Sequence, residues 1–263
     1  MKKNEHHIAY FASDFHLGTP NEKSSREREK KILSWLDVVK KDATHLFLVG
    51  DVFDFWFEYK HVIPKGFVRI QAKLAELVEA GIHVHLFHGN HDMWMFDYFS
   101  KELGVTIHSN EFEIELNGSK LFIAHGDGIG PGDRGYKFIK KIFRNKFCQW
   151  LFARLHPNFG VGLANHFSRS SRKKTGHLDE EFKGMEREWI FQFLKNEHSK
   201  FKAVTYIFGH RHLPLFVKEE EFQYINLGEW LSKCSYAKFS EKGWELLQWK
   251  ENQVLPLTSA HLL

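Results

Sequence analysis

His45-Leu46-Phe47-Leu48-Val49-Gly50-Asp51-Val52-Phe53-Asp54 is an apolar run that stops at a glycine and turns at once into carboxylates. β-Rich residues ending on a breaker describe a short buried strand and the loop beyond its carboxyl end. The same pattern occurs upstream, where residues 8–13 run into Ser13-Asp14-Phe15-His16, and downstream, where residues 82–88 run into Gly89-Asn90-His91-Asp92. Helix-like stretches at 22–40 and 67–80 separate the three runs, the second closed by Gly81. Strand alternating with helix predicts an α/β fold with a largely parallel sheet and helices on its faces.

Further along, residues 111–116 and 120–125 are joined by Asn117-Gly118, the strongest short-range hairpin signal, which makes the sheet mixed. Residues 135–195 read as mostly helical, broken by Gly160, Gly162, Gly176 and Gly184, with an acidic amphipathic helix expected over 179–194. This stretch is expected to be an inserted helical cap. Strand-like runs return at 203–208, 215–218, 222–227, 236–239 and 244–249. With no internal repeat and no low-complexity linker, one domain over 1–263 carrying a cap at 135–195 is the expected organisation.

Composition agrees with a globular chain: 263 residues, 43% hydrophobic, 27% charged, 37 Lys and Arg against 33 Asp and Glu. Disorder, collagen and a bare coiled coil are excluded. Cys148 and Cys234 are too few for a secreted disulfide framework and lack the spacing of a thiolate zinc site, so two reduced thiols are expected. The apolar run before Ser13 is too short for a signal peptide, and no window reaches the roughly 18 apolar residues of a membrane span. The chain is therefore expected in the cytoplasm, with any membrane contact peripheral. Eleven of the basic residues fall within 134–177, where no acidic residue stands, so the remainder is net negative. A basic segment in an otherwise acidic chain points to an anionic partner.

Two more strand-like runs end on polar motifs, His125-Gly126-Asp127 and Gly209-His210-Arg211-His212, bringing the number of Asp, Asn and His motifs at strand ends to five. Loops beyond the carboxyl ends of strands converge on one crevice, so these groups can meet despite their separation in sequence. Carboxylate, carboxamide oxygen and imidazole together suit manganese, iron or zinc, and two such divalent ions need a shared ligand. Asp54 and Asp127 read as supporting carboxylates, and His45, His83, His85 and His88 as packed or surface histidines. Arg211 reads as a phosphate contact or a solvated arginine.

The order DxH, GDxxD, GNHD, HGD and GHxH resembles the five blocks of the calcineurin-like metallophosphoesterases, over residues 14–212. The resemblance implies a two-sheet β sandwich flanked by helices and two divalent metal ions, manganese first, with iron or zinc as alternatives. By matching position Asp14, His16 and His212 would hold one ion, Asn90, His125 and His210 the other, and Asp51 would bridge them. His91 would act on the phosphoryl group, with Asp92 orienting it. Asn90, His91 and His210 would also contact substrate.

Within the superfamily the chain is most similar to the UDP-2,3-diacylglucosamine diphosphatase family of lipid A biosynthesis. The shared residues are Gly50-Asp51-Val52-Phe53-Asp54-Phe55-Trp56, His125-Gly126-Asp127 followed by Asp133-Arg134-Gly135-Tyr136, and Leu227-Gly228-Glu229-Trp230. This likeness implies hydrolysis of the pyrophosphate of a nucleotide-sugar lipid to UMP and 2,3-diacylglucosamine 1-phosphate. It also implies contacts from Asp133, Ser168 and Arg172 to substrate, and a peripheral position on the inner face of the inner membrane. His91 departs from that family, whose best-known members carry arginine there. Tyr136, Phe138, Ile139, Ile142, Phe143, Phe147, Trp150, Leu151 and Phe152 interleave with the basic residues, a pattern suited to an anionic membrane surface or to a core-facing helix with a solvated basic side. The same pattern would suit a soluble nucleotide or a nucleic acid strand, which makes a di-metal phosphodiesterase the second reading. A non-catalytic scaffold is the third, opposed by the filling of every ligand position. Nothing in the sequence calls for an obligate protein partner.

Overall fold

The computed structural model describes residues 6–130, 134–175 and 182–257, with the backbone alone for 169–175. The first run becomes β1 (Ala9–Ala12), paired in parallel with β2 (His45–Leu48), which pairs in parallel with β3 (His83–Phe87). All four residues of β1 and of β2 are buried, as expected for parallel strands covered on both faces. Side chains alternate between two cores: Ala9, Phe11 and Phe47 point between the sheets, Tyr10, Leu46 and Leu48 toward the helices.

Those helices are α1 (Glu22–Val39) and α2 (Val68–Glu79). Asn21 caps α1 by accepting from Ser24 N, and Ile32, Trp35, Leu36 and Val39 form its buried stripe at helical spacing. Burying one such side chain is worth about 1.5–3 kcal/mol. A short helix, α3 (Tyr98–Leu103), and a short strand, β4 (Thr106–His108), extend the sheet at one edge. Neither is foreshadowed by the sequence, because three to six residues carry no period.

The Asn117-Gly118 turn joins β5 (Phe112–Leu116) to β6 (Ser119–Ala124), which pairs in parallel with β7 (Thr205–Phe208). With β8 (Pro214–Lys218) and β9 (Gln223–Leu227) these form a five-stranded sheet in the order β5-β6-β7-β9-β8. The hairpin thus opens a second sheet. The first sheet is itself mixed, completed by β10 (Ser235–Ser240), β11 (Gly243–Lys250) and β12 (Gln253–Pro256) in the order β12-β11-β10-β1-β2-β3-β4. The two sheets face each other through Phe11, Phe47, Phe87, Leu121, Ile123, Ile207 and Ile225.

Between β6 and β7 come α4 (Arg134–Arg144), α5 (Lys146–Phe152) and α6 (Pro157–Thr175), then α7 (Trp189–Glu197). The helix expected over 179–194 is corrected: residues 176–181 lie outside the described ones, and α7 starts at Trp189 after a turn at Met185–Arg187. Gly184 breaks the chain at a φ of 93°, and Glu188 stays extended to reach a buried partner. Helix α7 buries Ile190, Phe191 and Leu194 against Tyr206, Phe208 and Tyr224 on the outer face of the five-stranded sheet. By contrast, α4 and α5 bury no residue.

Candidate metal centre

Because β1, β2 and β3 are parallel, and β6 and β7 are parallel, the loops after these five strands open at one end of the sandwich. Asp14, His16, Asp51 and His210 all adopt left-handed backbone, at φ of 57°, 46°, 52° and 63°. A non-glycine residue there costs on the order of 1–3 kcal/mol, so the surrounding contacts must hold the loops in place. Close approach is one such device: a Cβ on Gly89 would overlap Asp51 N and Oδ1, and one on Gly209 would overlap Ser13 Oγ.

The side chains converge in two overlapping groups. His16 Nε2 lies 3.4 Å from Asp14 Oδ1 and 3.1 Å from His212 Nε2, and His212 Nε2 is also 3.4 Å from Asp14 Oδ1. On the other side, His125 Nε2 lies 3.2 Å from Asn90 Oδ1 and 3.5 Å from Asp51 Oδ2, with the His210 ring 5.2 Å from the His125 ring. Asp51 Oδ2 stands between the groups, 3.9 Å from His16 Nε2. All seven residues expected as ligands are therefore neighbours.

These residues fit divalent ions on their own chemistry. Asp14 Oδ2 accepts from Ser13 Oγ at 2.5 Å and His210 N at 2.9 Å, but the fully buried Oδ1 has no hydrogen-bond partner and faces two imidazole nitrogens. A buried carboxylate oxygen without a donor, ringed by imidazoles, is a cation-binding arrangement. Burial works against the charge on Asp14, yet the imidazoles of His16 and His212 outweigh it and hold the carboxyl well below its ordinary range. Burial likewise opposes a proton on His125, but the Asp51 carboxylate wins and pushes that imidazole up to about 10. The same carboxylates are the charge a bound dication would meet. Asp14-His16-His212 and Asp14-Asp51-His125 each bring three ligand atoms within 4.8 Å of one another, as does His16-Asp51-His91. The last group was not expected from the sequence, which placed His91 at substrate only.

Asp92 does not orient His91. It is fully buried and accepts from Gly89 N at 2.8 Å, Asp51 N at 3.2 Å and Phe53 N at 3.2 Å, fastening together the loops that carry Asp51 and Asn90. Backbone donors within its own and the neighbouring loop capture the carboxylate before it can reach the ring. Burial and then the nearby Asp51 charge push Asp92 up to about 7. The partner of His91 is Asp54, whose carbonyl lies 3.1 Å and whose Oδ1 lies 3.8 Å from His91 Nδ1. Ser168 of α6 adds its hydroxyl, 3.1 Å from Asp54 Oδ2 and 3.2 Å from His91 Nδ1.

Arg211 is neither a phosphate contact nor solvated. It is buried, doubly bonded to Glu188 at 2.9 and 2.8 Å, and its guanidinium lies 5.3 Å from the Trp189 ring centre. Asp127 accepts from Lys140 at 2.5 Å and from Tyr136, so it ties α4 to the loop bearing His125. Asp133 and the Arg172 side chain lie outside the described residues. His45, His83, His85 and His108 stack across the parallel strands away from the site. Sequence reasoning missed the Asp54-His91-Ser168 cluster and the Glu188-Arg211 pair; the only linear hint was the second carboxylate of GDxxD.

Fold and site define a class. The model of the calcineurin-like phosphoesterase family matches residues 9–214, and the chain belongs to that family. Among individual relatives, a UDP-2,3-diacylglucosamine hydrolase of Porphyromonas gingivalis is 37% identical over 241 residues, covering 87% of this chain and 92% of the relative. A UDP-2,3-diacylglucosamine hydrolase of Hahella chejuensis is 26% identical over 248 residues, covering 93% and 98%. Among solved structures, a phosphoesterase from E. coli aligns with a TM-score of 0.47 at 15% identity, covering 94% of this chain and 96% of that one.

Proposed function

We propose that the chain hydrolyses the pyrophosphate of UDP-2,3-diacylglucosamine, releasing UMP and 2,3-diacylglucosamine 1-phosphate. The observation that carries this reading is the amphipathic cavity beside the ligand cluster. A cavity of about 1150 Å³ reaches Asp54 and lies between residues 55–67 and α6, walled on one side by Phe55, Tyr59, Ile63, Phe67 and Val161 and on the other by polar residues that include Glu22, Arg26 and Glu29. The apolar wall gives an acyl chain a place to lie and the polar wall a place for a sugar or phosphate, which together suit an amphipathic substrate better than a free nucleotide. The 37% identity to a relative bearing that activity in its name supports the same substrate.

In this reading Asp14, His16 and His212 hold one divalent ion, Asn90, His125 and His210 the other, and Asp51 both, with manganese the preferred metal. Two such ions, when bound, supply water activation and neutralise charge on the phosphoryl oxygens. Asp92 keeps Asp51 and Asn90 in register, while His91 faces the phosphoryl group. Water adds across the P–O–P bond, its oxygen to one phosphorus and a proton to the departing phosphate.

Residues 135–195 contain the cap, and its surface favours a peripheral position at an anionic leaflet. Of the sixteen large hydrophobic side chains exposed among the described residues, ten lie in 138–167, including Phe138, Phe147, Trp150, Phe159 and Phe167. No helix among the described residues is long and apolar enough to cross a membrane. The interleaved cations, such as Arg154 at 4.6 Å over Trp150, keep a nucleotide or nucleic acid diester as the second reading. The test offers UDP-2,3-diacylglucosamine and bis(p-nitrophenyl) phosphate with manganese. UMP released at least about a hundredfold faster per kcat/KM than nitrophenol supports the proposal. The reverse preference establishes the soluble phosphodiesterase.

A further inference from the structure

The cap helix α6 delivers one hydroxyl into the catalytic cluster. Ser168 Oγ lies 3.1 Å from Asp54 Oδ2 and 3.2 Å from His91 Nδ1, bridging two side chains that belong to the loops after β2 and β3. The donors assign themselves, because an ionised carboxylate can only accept. The Ser168 hydroxyl donates to Asp54, and the His91 Nδ1 hydrogen is shared between Ser168 Oγ and the Asp54 carbonyl at 3.1 Å. That arrangement places the ring proton on Nδ1 and leaves the lone pair on Nε2. It also adds to the packing against the His16 ring, 5.2 Å away, in fixing the rotation of a ring that is 16% exposed.

The position of Ser168 depends on the seating of the whole cap. Gly160 lets α6 close on the 55–63 loop, since a Cβ there would press on Tyr59 Oη and Phe152. Phe152 packs 4.8 Å from both Phe57 and Trp94, and Trp94 Nε1 donates to the Phe143 carbonyl at 2.8 Å. Arg144 reaches the Ser109 carbonyl at 2.5 Å, and Lys140 reaches Asp127. These contacts join the helices α4 to α6 to the 55–63 loop, to Trp94 and to the loop bearing His125, whereas the Asp54 and His91 loops follow directly from β2 and β3.

We propose that Ser168 is a positioning residue, a latch by which the seated cap sets the rotation and tautomer of His91 through Asp54. This role rests on the phosphohydrolase reading of the site and differs from that of a substrate contact, since it acts with no substrate present. Its consequence is that His91 is competent only beneath a seated cap.

The test is a double-mutant cycle on the full chain loaded with manganese, with Ser168→Ala, Ser168→Thr, His91→Ala and the Ser168→Ala/His91→Ala pair. Losing a hydrogen bond to a charged partner predicts a kcat about tenfold lower for Ser168→Ala with KM little changed. Ser168→Thr retains the hydroxyl and should restore most of it. In the His91→Ala background the Ser168→Ala change should cost less than twofold, because the residue it acts through is gone. A loss that appears in KM and persists without His91 makes Ser168 a substrate contact and overturns the proposal. The long-range ¹H–¹⁵N spectrum of His91, recorded on the chain loaded with diamagnetic zinc because manganese would broaden the signals, gives a readout independent of turnover. The Nδ1–H tautomer should dominate in the native chain and give way to a mixture in Ser168→Ala, and identical spectra overturn the latch. If neither phosphate ester is hydrolysed by the native chain, the functional reading falls while the spectrum still decides the latch.

Discussion

The strand-end loops that carry the candidate ligands and the helices α4 to α6 are built in opposite ways. In the loops, carboxylates and glycines pull polar backbone into contact: Asp92 alone holds three amide N–H groups, and four of the proposed ligand residues sit in left-handed backbone. In α4 and α5, by contrast, side chains are at most half-buried, and ten large apolar side chains in 138–167 are exposed. The first region has spent stability on a fixed geometry; the second has kept its apolar surface available for something else to cover. Rigidity belongs where ligand atoms must stay within fractions of an ångström, and looseness where a large amphipathic substrate must enter.

The sharpest way to break this contrast is at the ligands. Asp14→Ala removes the oxygen that faces two imidazoles, and it should lower kcat/KM by at least about 10³-fold, the scale of a lost metal contribution. Circular dichroism should show the fold retained. An enzyme within tenfold of native would mean that the cluster is not the reacting centre.

Next in size is the backbone itself. Gly209→Ala forces a methyl onto Ser13 Oγ beneath the Asp14 carboxylate, so the variant should lose about 2 kcal/mol or more in denaturant unfolding. Gly162→Ala, where the new methyl meets nothing within 4 Å, should change stability by less than about 0.5 kcal/mol. Equal losses would remove the distinction between a welded loop region and a tolerant cap.

How far the sequence could carry this contrast differs between its two sides. Each ligand stood in a motif at the end of an apolar run, so its place was set by strand polarity alone, and the β-α-β-α-β order follows from the spacing of residues 8–88. Which neighbour a loop side chain takes was not legible. Asp92 adjoins His91 in the chain, yet it turns to three amides, and Asp54, 37 residues away, takes the histidine. Arg211 looked exposed because Glu188, its buried partner 23 residues upstream, lies in a stretch that periodicity had folded into one long helix. The exposed aromatics of the cap were legible as composition but not as surface, since an amphipathic stripe reads the same whether it faces a core or water.

A third prediction concerns the sheet beneath the loops. Burial and then neighbouring imidazoles lower His85 to about 3 and His45 to about 4 from an ordinary 6.5. Their native forms are neutral while the unfolded chain takes up protons, so the stability they contribute is complete above pH 6.5 and is lost as pH falls toward 3. His85→Phe, placed between Phe47 and Phe112, should flatten the decline in unfolding free energy between pH 6.5 and 4 without altering metal content. An unchanged slope would contradict the assignment.

The smallest effect on stability should come from the cap surface. Phe147→Ser with Trp150→Ser, 65% and 50% exposed, should shift unfolding by less than about 1 kcal/mol while weakening flotation with anionic vesicles severalfold. The remaining salt-sensitive binding would report the lysines and arginines at roughly 1 kcal/mol for each one near the surface. Undiminished flotation would move the lipid contact elsewhere.

Asp51, 3.9 Å from His16 and 3.5 Å from His125, is the proposed ligand shared by two ions. Elemental analysis of protein purified without chelator, native and Asp51→Asn side by side, addresses it directly. The account predicts two divalent ions per native chain and fewer than one in the variant. One ion per chain, unchanged by Asp51→Asn, would contradict it.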